Sequence, residues 1–292
     1  LGSKKAFTQE NTQQIPLSSL STLAQMQICN KIGDVTITVD PAATATTVAT
    51  KKIVHAENQQ MADQELKNIV VQVQPPGSIT NTLTCAKPRA LGSTAPGALA
   101  ANGLIVNVTL PDNNGGLIHN SSNAVNIAIT LPEKVLSANG PSLLLDVEAP
   151  VGNISVNGLS GVLTIQGSSG NVTVKHAILA AGSHIETGQG NVTFDGLLAA
   201  PTPPDAPARY ILQSEEGKID VTLPESTNVI LDANTNVGTI NSDFPLYNVE
   251  NNKGDGPVNF RGPLNSTTSP QSKAVLMLDV STGSIALHKA QV

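Results

Sequence analysis

The feature that most constrains this chain is a glycine followed by two apolar residues in alternation, repeated along its length. It stands at Gly33-Asp-Val-Thr-Ile37, Gly152-Asn-Ile-Ser-Val156, Gly161-Val-Leu-Thr-Ile165, Gly170-Asn-Val-Thr-Val174 and Gly190-Asn-Val-Thr-Phe194. It returns at Gly217-Lys-Ile-Asp-Val221, Gly256-Pro-Val-Asn-Phe260 and Gly283-Ser-Ile-Ala-Leu287. A period of two puts the apolar pair on one face and the residue between them on the other, which describes a short, half-buried strand. Glycine before each strand suits a tight corner, because it adopts positive φ without steric cost.

The spacing makes these strands an array. Gly152, Gly161 and Gly170 follow one another at 161 − 152 = 9 and 170 − 161 = 9, and both 217 − 190 and 283 − 256 equal 27. The unit is therefore one strand and one corner. Two such units per turn make a flattened roll and three make a prism, and both are β-solenoids. Strands this short must stack on their neighbours to bury their apolar pairs.

A longer duplication overlies the unit. Thr109-Leu-Pro-Asp112, Thr130-Leu-Pro-Glu133 and Thr222-Leu-Pro-Glu225 each close an alternating strand with a proline that stops further pairing. Leu145-Asp146, Leu231-Asp232 and Leu278-Asp279 each precede a corner glycine. Residues 86–102, 199–208 and 261–273, rich in Pro, Gly, Ser and Ala, read as loops thrown outward from the stack. Glu57 to Leu66 is the one stretch that reads as helix. The expected organisation is a polar stalk or edge segment over 1–28, a less regular N-terminal β region with one short helix over 29–135, and solenoid repeats over 136–292.

Composition removes several classes of function. The 22 acidic residues outnumber the 16 basic ones, and no Lys/Arg block supplies a footprint for nucleic acid or an anionic membrane. Aromatics make up 2% of the chain, too few for a base-stacking platform. No apolar run approaches the roughly 20 residues of a membrane span. Because the chain opens on Leu1 and not Met, we expect a signal peptide or anchor upstream of it. Cys29 and Cys85, the two cysteines, leave two readings open. One is a disulfide, whose loop would stabilise the fold by about 4 kcal/mol in the chain-entropy model; the other is a pair of inert buried thiols.

The order of these features resembles the bacterial putative adhesin family, envelope proteins with Gly-x-apolar-x-apolar repeats. The resemblance is clearest between Gly140 and Leu287, above all in Gly217-Lys-Ile-Asp-Val-Thr-Leu-Pro-Glu225 followed by Val229-Ile-Leu-Asp-Ala233 and Val237-Gly-Thr-Ile-Asn-Ser-Asp-Phe-Pro-Leu246. Gly33-Asp-Val-Thr-Ile37, with the Thr-rich strands after it, is similar to the family's opening region. The resemblance implies a right-handed single-stranded β-solenoid, extracellular or in the cell envelope, with adhesion as its role. It carries no catalytic residues to this chain, and the Pro/Ala insertions and the cysteine pair depart from it.

Candidate sites follow from the repeat. Asp146, Asp232 and Asp279 share a place in the Leu-Asp unit, so they are expected either to align as a metal-binding carboxylate ladder or to accept backbone hydrogen bonds at corners. Asp112-Asn-Asn-Gly-Gly116 is a second oxygen-rich cluster, read first as a turn. His176 and His184 are placed where adjacent rungs could bring them together, but without metal-ligand spacing they read as ordinary surface or edge residues. Thr173 and Thr193, outward in the repeat, are the expected ligand contacts, and Tyr210 and Tyr247 are read either as further ligand contacts or, in preference, as rings packed against the strands. Phe194 and Phe260 fall at inward positions and read as core. Hydrolysis would require a Gly-x-Ser-x-Gly elbow, which is absent, or paired carboxylates, for which Glu186, Asp195 and Asp220 are the candidates. The sequons at Asn153, Asn171 and Asn191 arise from the repeat itself.

These readings converge on a non-catalytic surface adhesin or extracellular binding scaffold with a glycan or protein ligand and no cofactor. A structural or sensory envelope domain that binds a protein partner is the alternative, and a polysaccharide-cleaving enzyme the third reading. Val275 to Val280 is apolar enough to drive self-association if it forms a bare terminal edge.

Overall fold

The computed structural model describes residues 3–17, 23–75, 103–111, 123–136, 143–204, 206–246, 256–264 and 273–291. The chain is all-β with one α-helix among the described residues. Its strands are β1 (Lys5–Pro16), β2 (Gln25–Cys29), β3 (Val35–Asp40), β4 (Ala45–Ala56), β5 (Val70–Gln74), β6 (Gly103–Thr109), β7 (Ala124–Pro132), β8 (Leu143–Val151) and β9 (Ile154–Asn157). They continue with β10 (Ser160–Ser169), β11 (Val172–Leu179), β12 (His184–Gln189), β13 (Val192–Leu198), β14 (Ala208–Leu223), β15 (Ile230–Val237), β16 (Ile240–Ser242), β17 (Val258–Pro263) and β18 (Ala274–Lys289). The helix, α1, is Gln59–Asn68. The fold divides into two compact units, residues 1–136 with 147–152, and residues 137–146 with 153–292.

In the first unit β3 pairs in parallel with β7, β7 antiparallel with β4, and β4 antiparallel with β1. A second ladder runs from β2, parallel to β6, to β5, antiparallel to β6. Alternate residues Val35, Ile37, Val48, Ile127 and Ile129 are buried, while Thr36, Thr38, Thr47 and Ala128 face outward. The helix begins where Asn58 caps it, its Oδ1 accepting the N–H of Met61 at 3.0 Å. Its buried residues Ala62 and Leu66 sit one turn apart, and Lys52 on β4 donates to the Leu66 carbonyl at 3.1 Å.

The second unit is built from two parallel ladders. One ladder stacks β9, β11, β13 and the second halves of β14 and β18, ending on β16. The other stacks β10, β12 and the first halves of β14 and β18, ending on β15 and the antiparallel β17. Ile154 pairs with Val172, eighteen residues on, and Val172 with Val192, twenty on. Two strand-and-corner units therefore separate one strand from the next in its ladder. The apolar pair of each repeat lies inward, including Ile154, Val174, Phe194, Val221 and Leu287, and Phe260 is buried with them.

The corners explain the glycines. Gly190 has φ +145°, and a Cβ there would sit 2.1 Å from the Gly170 carbonyl oxygen; at Gly217, φ +153°, it would sit 2.0 Å from that of Gly190. Adjacent turns touch backbone to backbone, which leaves no room for a side chain. Two polar series lock the same corners. The Asn153 Oδ1 accepts the N–H of Asn171 at 2.9 Å, that of Asn171 the N–H of Asn191 at 2.8 Å, and that of Asn191 the N–H of Lys218 at 2.8 Å. Inside, the hydroxyls of Thr187, Ser214 and Thr235 donate to the carbonyls of Gly170, Gly190 and Gly283 at 2.8, 2.9 and 3.0 Å. These buried hydroxyls satisfy carbonyls that the tight corner would otherwise leave unpaired.

One expectation is corrected here. The segment Val275–Val280 is not a bare terminal edge, because β18 enters between β14 and β15 and is paired on both sides. The last strand in the chain occupies an interior place in its ladder, and its apolar residues Leu276, Leu278 and Val280 are fully buried.

Candidate functional site

The parallel register of the second unit lines up one outward residue from each of five neighbouring strands. Gln166 on β10 stands beside Glu186 on β12, Gln213 on β14, Asp279 on β18 and Asn234 on β15. Their neighbours in sequence, Ile165, Ile185, Leu212, Leu278 and Ala233, point inward and are buried, so alternation turns the polar row to solvent. Strand spacing sets members of the row about 4.8 Å apart, with Glu186 and Asp279 two spacings, roughly 10 Å, from one another.

Three members of the row, Glu186, Gln213 and Asp279, line a groove of about 500 Å³ together with Gln189 and Glu215, and among the described residues its lining holds no Lys or Arg. Glycines shape its floor. At Gly188 a Cβ would meet the Ser168 carbonyl oxygen at 2.7 Å, and at Gly167 it would meet the Thr187 hydroxyl at 3.2 Å, so bare backbone lets the groove cut close to the sheet.

The side chains at the groove are held by one another. Gln166 Nε2 donates to Glu186 Oε1, His184 Nε2 lies 3.1 Å from Glu186 Oε2, and the same nitrogen lies 2.8 Å from Gln213 Oε1. At the far end Asn234 donates to Asp232 Oδ1 at 2.9 Å, and Arg261 ion-pairs with Asp232. Carboxylates accept, amides both donate and accept, and the rigid strands fix both at regular spacing. Such a surface suits a ligand with many hydroxyl groups in a row.

The residues singled out from sequence fall in several places. Thr173 and Thr193 are adjacent in the other ladder, in a half-buried outward row with Ser155 and Asp220. Tyr210 is fully buried and its hydroxyl donates to the Ala199 carbonyl, so of its two readings the packed ring holds and the ligand contact is corrected. Burial accordingly raises its phenol above the ordinary value. Tyr247 and the Asp112–Gly116 cluster lie outside the described residues. Cys29 is buried and disulfide-bonded; Cys85, the chain's other cysteine, lies outside the described residues.

The aspartate ladder is also corrected. Asp279 pairs with Gln213 and Asn234, whereas Asp232 pairs with Met277. The reason lies in the distance to the corner glycine: Asp146 and Asp232 precede Gly152 and Gly238 by six residues, but Asp279 precedes Gly283 by four. Among the described residues no group of three or more His, Cys, Asp or Glu is placed to hold a metal ion. The carboxylates weighed for hydrolysis divide between ladders, Glu186 on one, Asp195 and Asp220 on the other, where Asp220 is held by Lys218 at 2.6 Å and His288 at 2.9 Å. His176 is likewise remote from His184 in pairing, its Nδ1 lying 2.8 Å from Asn157 Oδ1.

The polar row itself was missed, although the sequence carries its signal. Each member stands four residues before a corner glycine: Gln166 before Gly170, Glu186 before Gly190, Gln213 before Gly217, Asn234 before Gly238 and Asp279 before Gly283. The buried hydroxyls Thr187, Ser214 and Thr235 stand three before.

Two further concavities lie among the described residues. An apolar one of about 390 Å³ includes Leu197, Pro201, Pro204, Pro224 and Val229 in its lining. In the first unit a groove of about 400 Å³ runs over Glu10, Thr12, Thr36, Lys51 and Asn126.

No family model matches this chain, and no curated protein matches it. Among solved structures, a putative cell adhesion protein from Clostridium sporogenes is similar over 97% of this chain and 100% of its own, at 11% identity and a TM-score of 0.44. A putative adhesin from Bacteroides fragilis is similar over 98% of each chain, at 14% identity and a TM-score of 0.30. No helix among the described residues is long and apolar enough to cross a membrane.

Proposed function

We propose that this chain is a non-catalytic binding scaffold of the cell surface, an adhesin in kind, that holds a polysaccharide along the outward row Gln166–Glu186–Gln213–Asp279–Asn234. The observation that carries the reading is the alignment of these five side chains on neighbouring strands, the middle three of which line one groove. The scaffold is a right-handed single-stranded β-solenoid with its last strand tucked inside the stack, a reading that the two-unit pairing interval supports. Each hydrogen bond to a sugar hydroxyl nets about 0.5–1.5 kcal/mol, so one chain binds weakly and several copies on one surface bind firmly. The disulfide at Cys29 supports an oxidising location outside the cytosol.

A second reading, a scaffold for a protein partner, is favoured by the apolar concavity at Leu197, Pro201 and Val229, a surface better matched to side chains than to sugar hydroxyls.

The test is retention of the purified chain on a panel of immobilised polysaccharides, with reducing ends scored in the same samples. The expected result is retention without release, weakened at least about tenfold by Glu186→Ala with Asp279→Ala and unchanged by Thr173→Ala with Thr193→Ala. Retention that ignores the first pair, or none on any member of the panel, overturns the polysaccharide reading, and reducing ends released in proportion to protein overturn the non-catalytic one.

A further inference from the structure

We infer that β1 pairs edge to edge with β1 of a second copy of this chain, making an antiparallel two-fold dimer through the first unit. The inference rests on the β1 strand alone and stands apart from the polysaccharide reading.

Lys5 to Pro16 pairs with Ala56 to Ala45 residue for residue, without a bulge. Among the described residues β4 is its one strand partner, and no described strand pairs with its other edge. From Lys5 to Gln14 every residue is exposed except the half-buried Phe7 and Gln13, and α1 packs near the strand. In an antiparallel ladder alternate residues turn both N–H and C=O away from the partner, which leaves about six residues of β1 offering unpaired groups along that edge.

An edge of this length is unusual unless it is protected, and the usual protections are absent from β1. Proline comes only at Pro16, at the end, and Lys5 is the single basic residue, at the opposite end. Glu10 is the single acidic residue, and Lys51 already neutralises it at 3.2 Å. The other outermost strands are built differently. Those among the described residues are β5, five residues, β16, three, and β17, six, the last carrying Arg261 and Pro263. β1 has twelve.

A second copy suits this edge because a two-fold satisfies both open edges at once with a single surface. A two-fold axis through Gln9 sets Gln9 against Gln9, Thr8 against Glu10 and Phe7 against Asn11, and it keeps the two Glu10 carboxylates from facing each other. Thr, Gln and Asn favour such pairing through cross-strand hydrogen bonds. The pairing would join two β3–β7–β4–β1 ladders into one eight-stranded sheet and set the two grooves at Thr12, Thr36 and Asn126 on a common face.

Sedimentation equilibrium of the full chain from micromolar to millimolar concentration tests the dimer, and single cysteines placed in turn at Thr8, Gln9, Glu10 and Asn11 test the edge. Opposed residues in an antiparallel pair have Cα atoms about 4.5–5.5 Å apart, within disulfide reach, so Gln9→Cys should give a covalent dimer on mild oxidation. Gln59→Cys, on α1, should not. Gln9→Lys, which sets like charges against each other, should weaken the dimer roughly tenfold, and Gln9→Thr should leave it intact. A monomer throughout the concentration range, or a dimer that none of the four cysteines crosslinks and Gln9→Lys leaves unchanged, overturns the inference.

Discussion

Gly217→Ala tests the physical basis of the stack. Gly217 holds φ +153°, and a Cβ there would lie 2.0 Å from the Gly190 carbonyl oxygen and 3.1 Å from the Ser214 hydroxyl. The obstructing atom is backbone, so relief requires two turns of the stack to move apart. Holding a non-glycine residue at positive φ costs about 1–3 kcal/mol, and forcing apart a packed contact costs about another 1–3. Alanine returns about 0.4–1 kcal/mol by restricting the unfolded chain, which leaves a net loss of about 3 kcal/mol. Gly182 supplies the control. It also has positive φ, +93°, but the nearest atom to its Cβ would be Val162 Cγ1 at 3.8 Å, an ordinary contact. Gly182→Ala should therefore cost only the backbone component, about 1 kcal/mol. Urea denaturation followed by far-ultraviolet circular dichroism reads both as shifts in midpoint at constant slope. Equal losses for the two variants, or a loss below about 1 kcal/mol at Gly217, would refute the argument that turn-to-turn contact fixes these glycines.

Other consequences follow from the same corners. Ser214→Ala leaves the Gly190 carbonyl without its buried hydroxyl donor and should cost about 1–2 kcal/mol by denaturant midpoint; Val280→Thr, at the paired position in β18, should cost less because its hydroxyl can reach a corner carbonyl as its neighbours do. Asn171→Ala should lose about 1 kcal/mol and speed amide exchange at Asn191, whose N–H donates to the Asn171 side chain. Lys289, 2.7 Å from Glu225, holds that carboxyl below its ordinary value, by hydrogen bond and by charge. A depressed carboxyl contributes stability above the unfolded value that is lost as pH falls through the folded one, so any advantage over Lys289→Met should shrink on acidification. An NMR titration that finds the Glu225 carboxyl unmoved by Lys289→Met would count against the pair.

How much of this was legible in the sequence depends on the range of the interaction. The corners were, because positive φ is a demand that each corner places on its own residue and that glycine meets without steric cost. The inward faces were too, since Phe194 and Phe260 follow the period of two into the core. The place of β18 was not. Its pairing with β14 and β15 joins residues far apart in the chain, and a parallel strand of regular alternation fits a terminal place as well as an interior one. Tyr210 was legible in part: strand packing was the preferred reading of its ring, but the Ala199 carbonyl that takes its hydroxyl comes from another part of the chain. The polar row escaped because outward Gln, Glu, Asn and Asp resemble any solvated strand face. Counting back four from each glycine would have collected it, whereas the Leu-Asp pairs mixed two different offsets.

Amide hydrogen exchange in the presence of a retained polysaccharide fragment tests the account's central claim most directly. The account expects added protection on the strands that carry the row, over 184–189, 210–216 and 275–281, with residues 192–195 and 219–222 unchanged. Protection confined to the Thr173 and Thr193 ladder, or to the surface around Leu197 and Pro201, would contradict it.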